Sequence, residues 1–159
     1  MNEMQKKTVS KPDERRTFAK GQVDLVALGG VTFGRATLQP GWKWSTCVKP
    51  LVNTKSCQAP HLQYHVSGRL HVVMDDGSKQ EFGPGDVALI PPGHDAWVVG
   101  NDPVVVIDIS GMLDYAKPAT RKVGENLVAH ELDTMEPSVQ QIGQRLVSEV
   151  QADKRDVYV

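Results

Sequence analysis

Short apolar runs broken by glycine and proline fill the chain from Val23 to Ile109. Val23–Leu28, Val31–Leu38, Trp42–Lys49, Leu62–Val66, Leu70–Met74, Lys79–Phe82, Asp86–Ile90, Ala96–Val99 and Val104–Ile109 all have the length of a strand. Gly29-Gly30, Gln39-Pro40-Gly41, Gly83-Pro84-Gly85 and Pro91-Pro92-Gly93 separate them, and each supplies a positive φ or a fixed one. Asp76-Gly77 between two such runs predicts a tight hairpin. This many strands with no helix between them imply an antiparallel all-β domain, a sandwich or a closed barrel. Residues 1–22 lack a sustained apolar period and read as an arm with at most a short helical turn. After Gly111 the pattern changes. Residues 112–133 read as an extended connection. Val139, Ile142, Leu146 and Val150 then form a helical stripe over about 136–152, with Thr134 as N-cap and Pro137 in the first turn. The division is an arm over 1–22, a barrel over 23–111 and a connection with a C-terminal helix over 112–159.

Composition narrows the function classes. At 159 residues, 40% hydrophobic and 23% charged, the chain is ordinary for a globular domain. Its net charge of -1 lacks the basic excess of a nucleic-acid binder. The arm carries six Lys/Arg against three Asp/Glu, too small an excess to require an anionic partner. No run nears the ~20 apolar residues of a membrane span. The polar start has no apolar core of a signal peptide. Two cysteines, Cys47 and Cys57, make no disulfide framework, so a reducing, cytoplasmic compartment is expected.

Two segments carry a recognisable pattern. One runs from Cys57 through Pro60-His61-Leu62-Gln63-Tyr64-His65-Val66-Ser67-Gly68. The other is Gly83-Pro84-Gly85-Asp86-Val87-Ala88-Leu89-Ile90-Pro91-Pro92-Gly93-His94-Asp95-Ala96-Trp97. Together, over about residues 36–110, they resemble the cupin superfamily, a small jelly-roll β-barrel. Gly85, Pro91 and Gly93 hold the spacing of the second cupin motif, and the stretch Ile90–Trp97 with Gly41–Ser45 looks like a group of small bacterial cupins of unassigned activity. The resemblance implies a cupin barrel but not the usual ligand shell of three histidines and a glutamate. His61 stands in the glutamate slot. Lys55 and Cys57 stand in the slots of the first-motif histidines. Ala96 replaces the second-motif histidine, and Gly100 replaces the asparagine. The family's iron dioxygenase chemistry is therefore not carried over.

A different shell can be drawn. Strand alternation puts Cys57, His61, Gln63 and His65 on one face, which in the resemblance points into the barrel. His94, two residues before Ala96, shares the parity of the replaced ligand. Cys57, His61 and His94 are the candidate metal ligands, with His65 or Gln63 as a fourth. Thiolate with imidazole favours Zn²⁺ over Fe²⁺ or Ni²⁺, and an open position would make the site catalytic. His65 is the candidate acid or base. Gln63, Trp44 and Trp97 are the candidate substrate contacts. Each also has a structural reading: Cys57 as a small buried hydrophobe, His65 as a core histidine, and Trp42 with Trp44 as filling for one end of the core. Asp108 on the last strand is a candidate inward acid or supporting group. His71 alternates outward. Three functions compete: a metal-dependent isomerase, lyase or hydrolase on a small polar molecule, a metal-free small-molecule-binding module, and metal-free acid–base catalysis by His61 and His65. A homodimer is expected, because paired sheet edges remove exposed strand hydrogen bonds and the tail stripe needs cover.

Overall fold

Among the described residues, eleven elements form where the turn residues allow. They are β1 (Glu14–Phe18), β2 (Gly21–Leu28), β3 (Val31–Leu38), α1 (Trp44–Cys47), α2 (Lys49–Val52), β4 (His61–Ser67), β5 (Arg69–Met74), β6 (Lys79–Phe82), β7 (Val87–Ile90), β8 (His94–Val99) and β9 (Val104–Asp108). The computed structural model describes residues 3–109 and 111–119, all within the unit Met1–Ala119. The predicted tail helix and most of the extended connection lie outside the described residues. No described helix is long and apolar enough to cross a membrane.

The strands make two antiparallel sheets, one of six strands in the order β1-β2-β3-β9-β4-β7 and one of three in the order β6-β5-β8. This is an all-β arrangement of antiparallel sheets, consistent with the expected jelly roll. One core lies between the sheets, with Val23, Leu25, Ala36, Leu38 and Val106 from the first and Leu70, Val72, Ala96 and Val98 from the second. Burying each valine or leucine among them contributes about 1.5–3 kcal/mol. Register fixes what faces inward. Leu25 pairs with Gly34, Gly34 with Asp108, Asp108 with Gln63 and Gln63 with Ala88, so one row crosses five strands on the inner face. His65 and Val106 sit one row away. Gly68, at φ 71, turns β4 into β5 where a Cβ would collide with the Pro103 carbonyl, so only glycine serves there.

Three local expectations are corrected. Residues 14–18, read as part of an arm, form β1 and pair with β2 throughout, Arg16 opposite Val23. The alternation was hidden because Arg16, charged, occupies an inward position. The run Trp42–Lys49 is not a strand. Only Lys43 pairs, opposite Trp97, and the chain then coils into α1 and α2. A carboxylate distant in sequence makes this turn possible: Asp95 Oδ1 accepts the Ser45 N–H at 3.0 Å, one of the amides a helix start leaves unpaired. Finally, the beginning of the extended connection is core. Met112, Tyr115 and Ala116 are buried against the barrel residues.

Candidate metal centre

Polar side chains interrupt the apolar interior at one end of the sheets: His61, Gln63, His94 and Asp108 are all buried there, and Cys57 is buried beside them. Each arrives for a local reason. His61 and Gln63 are the first inward positions of β4. His94 opens β8 with the same parity as Ala96 and Val98. Cys57 belongs to no strand, since Pro60 precedes the start of β4. An isolated bridge holds it instead: its N–H donates to the His94 carbonyl at 2.8 Å, and its carbonyl accepts the Gly93 N–H at 2.7 Å.

The donor atoms of Cys57, His61 and His94 all lie within 4.8 Å of one another. Cys57 Sγ is 3.7 Å from His61 Nε2. A tetrahedral zinc ion separates a sulfur and a nitrogen ligand by about 3.5 Å, so this edge fits such an ion. Both imidazoles are oriented from behind. His61 Nδ1–H donates to Asp108 Oδ2 at 2.6 Å, which leaves Nε2 turned to the thiol. His94 Nδ1–H donates to the Pro91 carbonyl at 2.8 Å, which leaves its Nε2 lone pair available. Carboxylate or carbonyl support of this kind fixes tautomer and ring orientation in metal sites. Asp108 is itself anchored by Gln63 Nε2 at 3.1 Å and by the Gly111 N–H at 2.8 Å.

The electrostatics bear on the same chemistry. Burial pushes the Cys57 thiol up to about 11, with Asp108 and Asp95 adding to the shift. Burial, with the neighbouring His61, holds His94 below the usual histidine range, so it is a neutral donor at pH 7. Burial also keeps the Tyr115 phenol well above its usual range, hence protonated. A cavity of about 30 Å³ adjoins the centre, lined by His61, Gln63, His94, Trp42, Trp44 and Tyr115 among others. That is room for a single water. Gln63 Oε1 and Trp42 Nε1, an acceptor and a donor on lining residues, are buried without a protein partner.

The structure brings Cys57, His61 and His94 together, with Gln63 and Trp44 beside them. It does not bring His65 or Trp97 there. His65 faces the interior on β4 but stacks on Phe82 at 5.4 Å between centroids, does not line the cavity, and has neither ring nitrogen bonded. Trp97 has the opposite parity to His94 and stacks on His71 at 4.5 Å, away from the barrel mouth. Sequence reasoning missed Tyr115, whose ring lies 5.6 Å from that of His61. No signal marked it, because its surroundings read as a connection. Gly111 was missed also. A Cβ there would run into the Pro60 carbonyl and come within 2.6 Å of His61 Nδ1, so only glycine lets the chain pass behind the histidine.

No family model and no curated protein matches the sequence. Solved structures do resemble it. A protein of unknown function from Rhizobium leguminosarum is 21% identical with a TM-score of 0.51, over 69% of this chain and 97% of that one. A protein of unknown function from Acidithiobacillus ferrooxidans is 19% identical with a TM-score of 0.46, over 63% and 88% of the two chains. KdgF from Halomonas sp. is 20% identical with a TM-score of 0.44, over 60% and 83%. At these identities likeness speaks to fold alone, and the Rhizobium protein, matched over nearly its whole length, shares the all-β architecture described above.

Proposed function

We propose that Cys57, His61 and His94 hold a zinc ion with a fourth position left for water, in a protein that acts as a hydrolase, lyase or isomerase on a small molecule. One observation carries the reading: three donors of the type zinc prefers meet in a buried site, with both imidazoles already oriented by Asp108 and Pro91. The ion would supply Lewis acidity, polarising a carbonyl or acidifying a water. The chain's own residues do the rest. Asp108 holds His61 through a buried carboxylate and fixes its tautomer and ring orientation. Gln63 Oε1 offers an unpaired acceptor toward a water in the cavity. Trp42, Trp44 and Tyr115 exclude bulk water from the 30 Å³ cavity. His65 has no part in this reading. Metal analysis and zinc titration of the purified protein test it. We expect one zinc per chain, lost in His61→Ala; no stoichiometric uptake by the wild type would overturn it.

A metal-free reading has its own observation. The Cys57 thiol, kept protonated by burial, lies within reach of His61 Nε2 and can satisfy it without an ion. The protein would then be a small-molecule-binding module. A chelator separates the two readings: unchanged thermal stability under chelation supports the module, and a drop of several degrees supports zinc.

A homodimer through the outer face of the larger sheet completes the proposal. Leu62, Tyr64 and Val66 of β4, Val87 and Leu89 of β7, and Ile109 form an exposed apolar surface there. Register makes it continuous, with Leu62 opposite Leu89 and Tyr64 between Val87 and Ile107. Those residues carry no charge, which suits contact with the same patch on a second copy.

A further inference from the structure

The cavity between the sheets, at about 30 Å³, has room for a water and not for an organic molecule. A second hollow of about 420 Å³ opens on the other side of Cys57, between the α1–α2 turns and residues 111–116. That volume is in the lower part of the range of small-molecule sites. Trp44 and Tyr115 line both spaces and form the partition between them. Cys57 contributes to the wall of the larger one.

Its chemistry is selective. Val48, Val52, Leu113 and Ala116 make most of the wall apolar. Besides the Cys57 thiol and the Tyr115 phenol, the polar members are Thr54, Gln58 and Asp114, and the donors of Thr54 and Gln58 are already used. Thr54 Oγ1 donates to the Ser56 carbonyl at 2.9 Å, and Gln58 Nε2 donates to Ser56 at 3.0 and 3.2 Å. What they leave are acceptor oxygens. Among the described residues, no Lys, Arg or His lines this pocket, while Asp114 brings a carboxylate to its edge. Asp114 is already paired with Lys117 at 2.7 Å, so a carboxylate or phosphate ligand would find no free counter-charge in the lining, and burying an unpaired anion is costly.

We infer that the 420 Å³ pocket is the organic-ligand site of this protein, and that it takes a neutral, largely apolar molecule carrying a hydroxyl or amine donor and rejects anions. The assignment of that molecule as the substrate rests on the zinc reading; its binding does not. The test compares 2-naphthalenemethanol with 2-naphthoate, alike in size and different in charge, by calorimetric titration of the full chain with and without zinc. We expect the alcohol to bind at least about tenfold more tightly than the carboxylate. Val52→Trp, which fills the pocket, should abolish alcohol binding. Leu113→Lys, at an exposed wall position, should move the preference toward the carboxylate several-fold. Equal binding of the two probes, or no effect of either variant, would overturn the assignment. If the alcohol binds as expected while zinc is not taken up, the pocket stands and the metal reading alone fails.

Discussion

At the scale of single residues, the pairing of His61 with Asp108 decides the most. A carboxylate 2.6 Å behind a ligating imidazole is the supporting contact whose loss weakens metal sites by about 10–100-fold. Asp108→Asn should therefore reduce zinc affinity by that factor in a competition titration while leaving the stoichiometry at one. Cys57 predicts a linked proton. Its thiol, at about 11, is protonated at neutral pH, and a metal binds only the thiolate. Zinc uptake should release about one proton from Cys57, and affinity should fall by about tenfold per pH unit as the solution is made acid, read by titration in weakly buffered solution. His65 predicts a different pH effect. It is fully buried, and burial depresses its pKa below 6.5. The folded chain therefore binds fewer protons than the unfolded one once the pH falls below that value. Stability is full above about pH 6.5 and is lost as pH falls from there toward the folded-state pKa. His94 adds a loss of the same sign. The difference between wild type and His65→Leu isolates the first group: urea unfolding at pH 7.5 and pH 5 should show a smaller acid loss in the variant.

At the scale of elements, β1 and the segment 111–116 act as a pair. Arg16, on the inner face of β1, donates Nη1 to the carbonyls of Met112 and Tyr115 at 3.1 and 2.7 Å, and Nη2 to that of Leu113 at 2.7 Å. Glu14 holds the guanidinium from the other side. One half-buried cation thus ties down the segment that carries Tyr115 over the centre and Gly111 behind His61. Arg16→Ala should leave these carbonyls unsatisfied, cost on the order of 3 kcal/mol, and speed alkylation of Cys57 by a thiol reagent. Unchanged alkylation would show that other contacts seat the segment. This coupling was invisible along the chain. A charged residue on a predicted arm and an aromatic in a predicted connection have no local reason to meet. The single-turn helices after Trp42 were equally hidden, because the Asp95 carboxylate that accepts the Ser45 amide lies fifty residues away in sequence.

At the scale of the whole molecule, the exposed outer face is the conspicuous feature. Val87 and Leu89 on the edge strand β7 are 71% and 76% exposed, and the apolar surface continues over β4. Light scattering should report a dimer, and Leu89→Lys should shift it toward monomer without loss of the fold. Much of the architecture was legible in the chain itself. Glycine and proline marked most places where strands stop, because they take turn backbone angles at least cost, although Lys20, at φ 57, makes the β1–β2 turn. Alternation along β4 placed His61, Gln63 and His65 on one face, because a pleated strand leaves no other choice, while the resemblance supplied that this face points inward and that His94 shares it. What alternation leaves open is which inward groups meet at the same height of the barrel. Register across β9, β4 and β7 and the bridge from Cys57 to His94 decided that, placing Asp108 behind His61 and leaving His65 against Phe82. A strand pattern specifies a face; only pairing between strands distant in sequence specifies a neighbour.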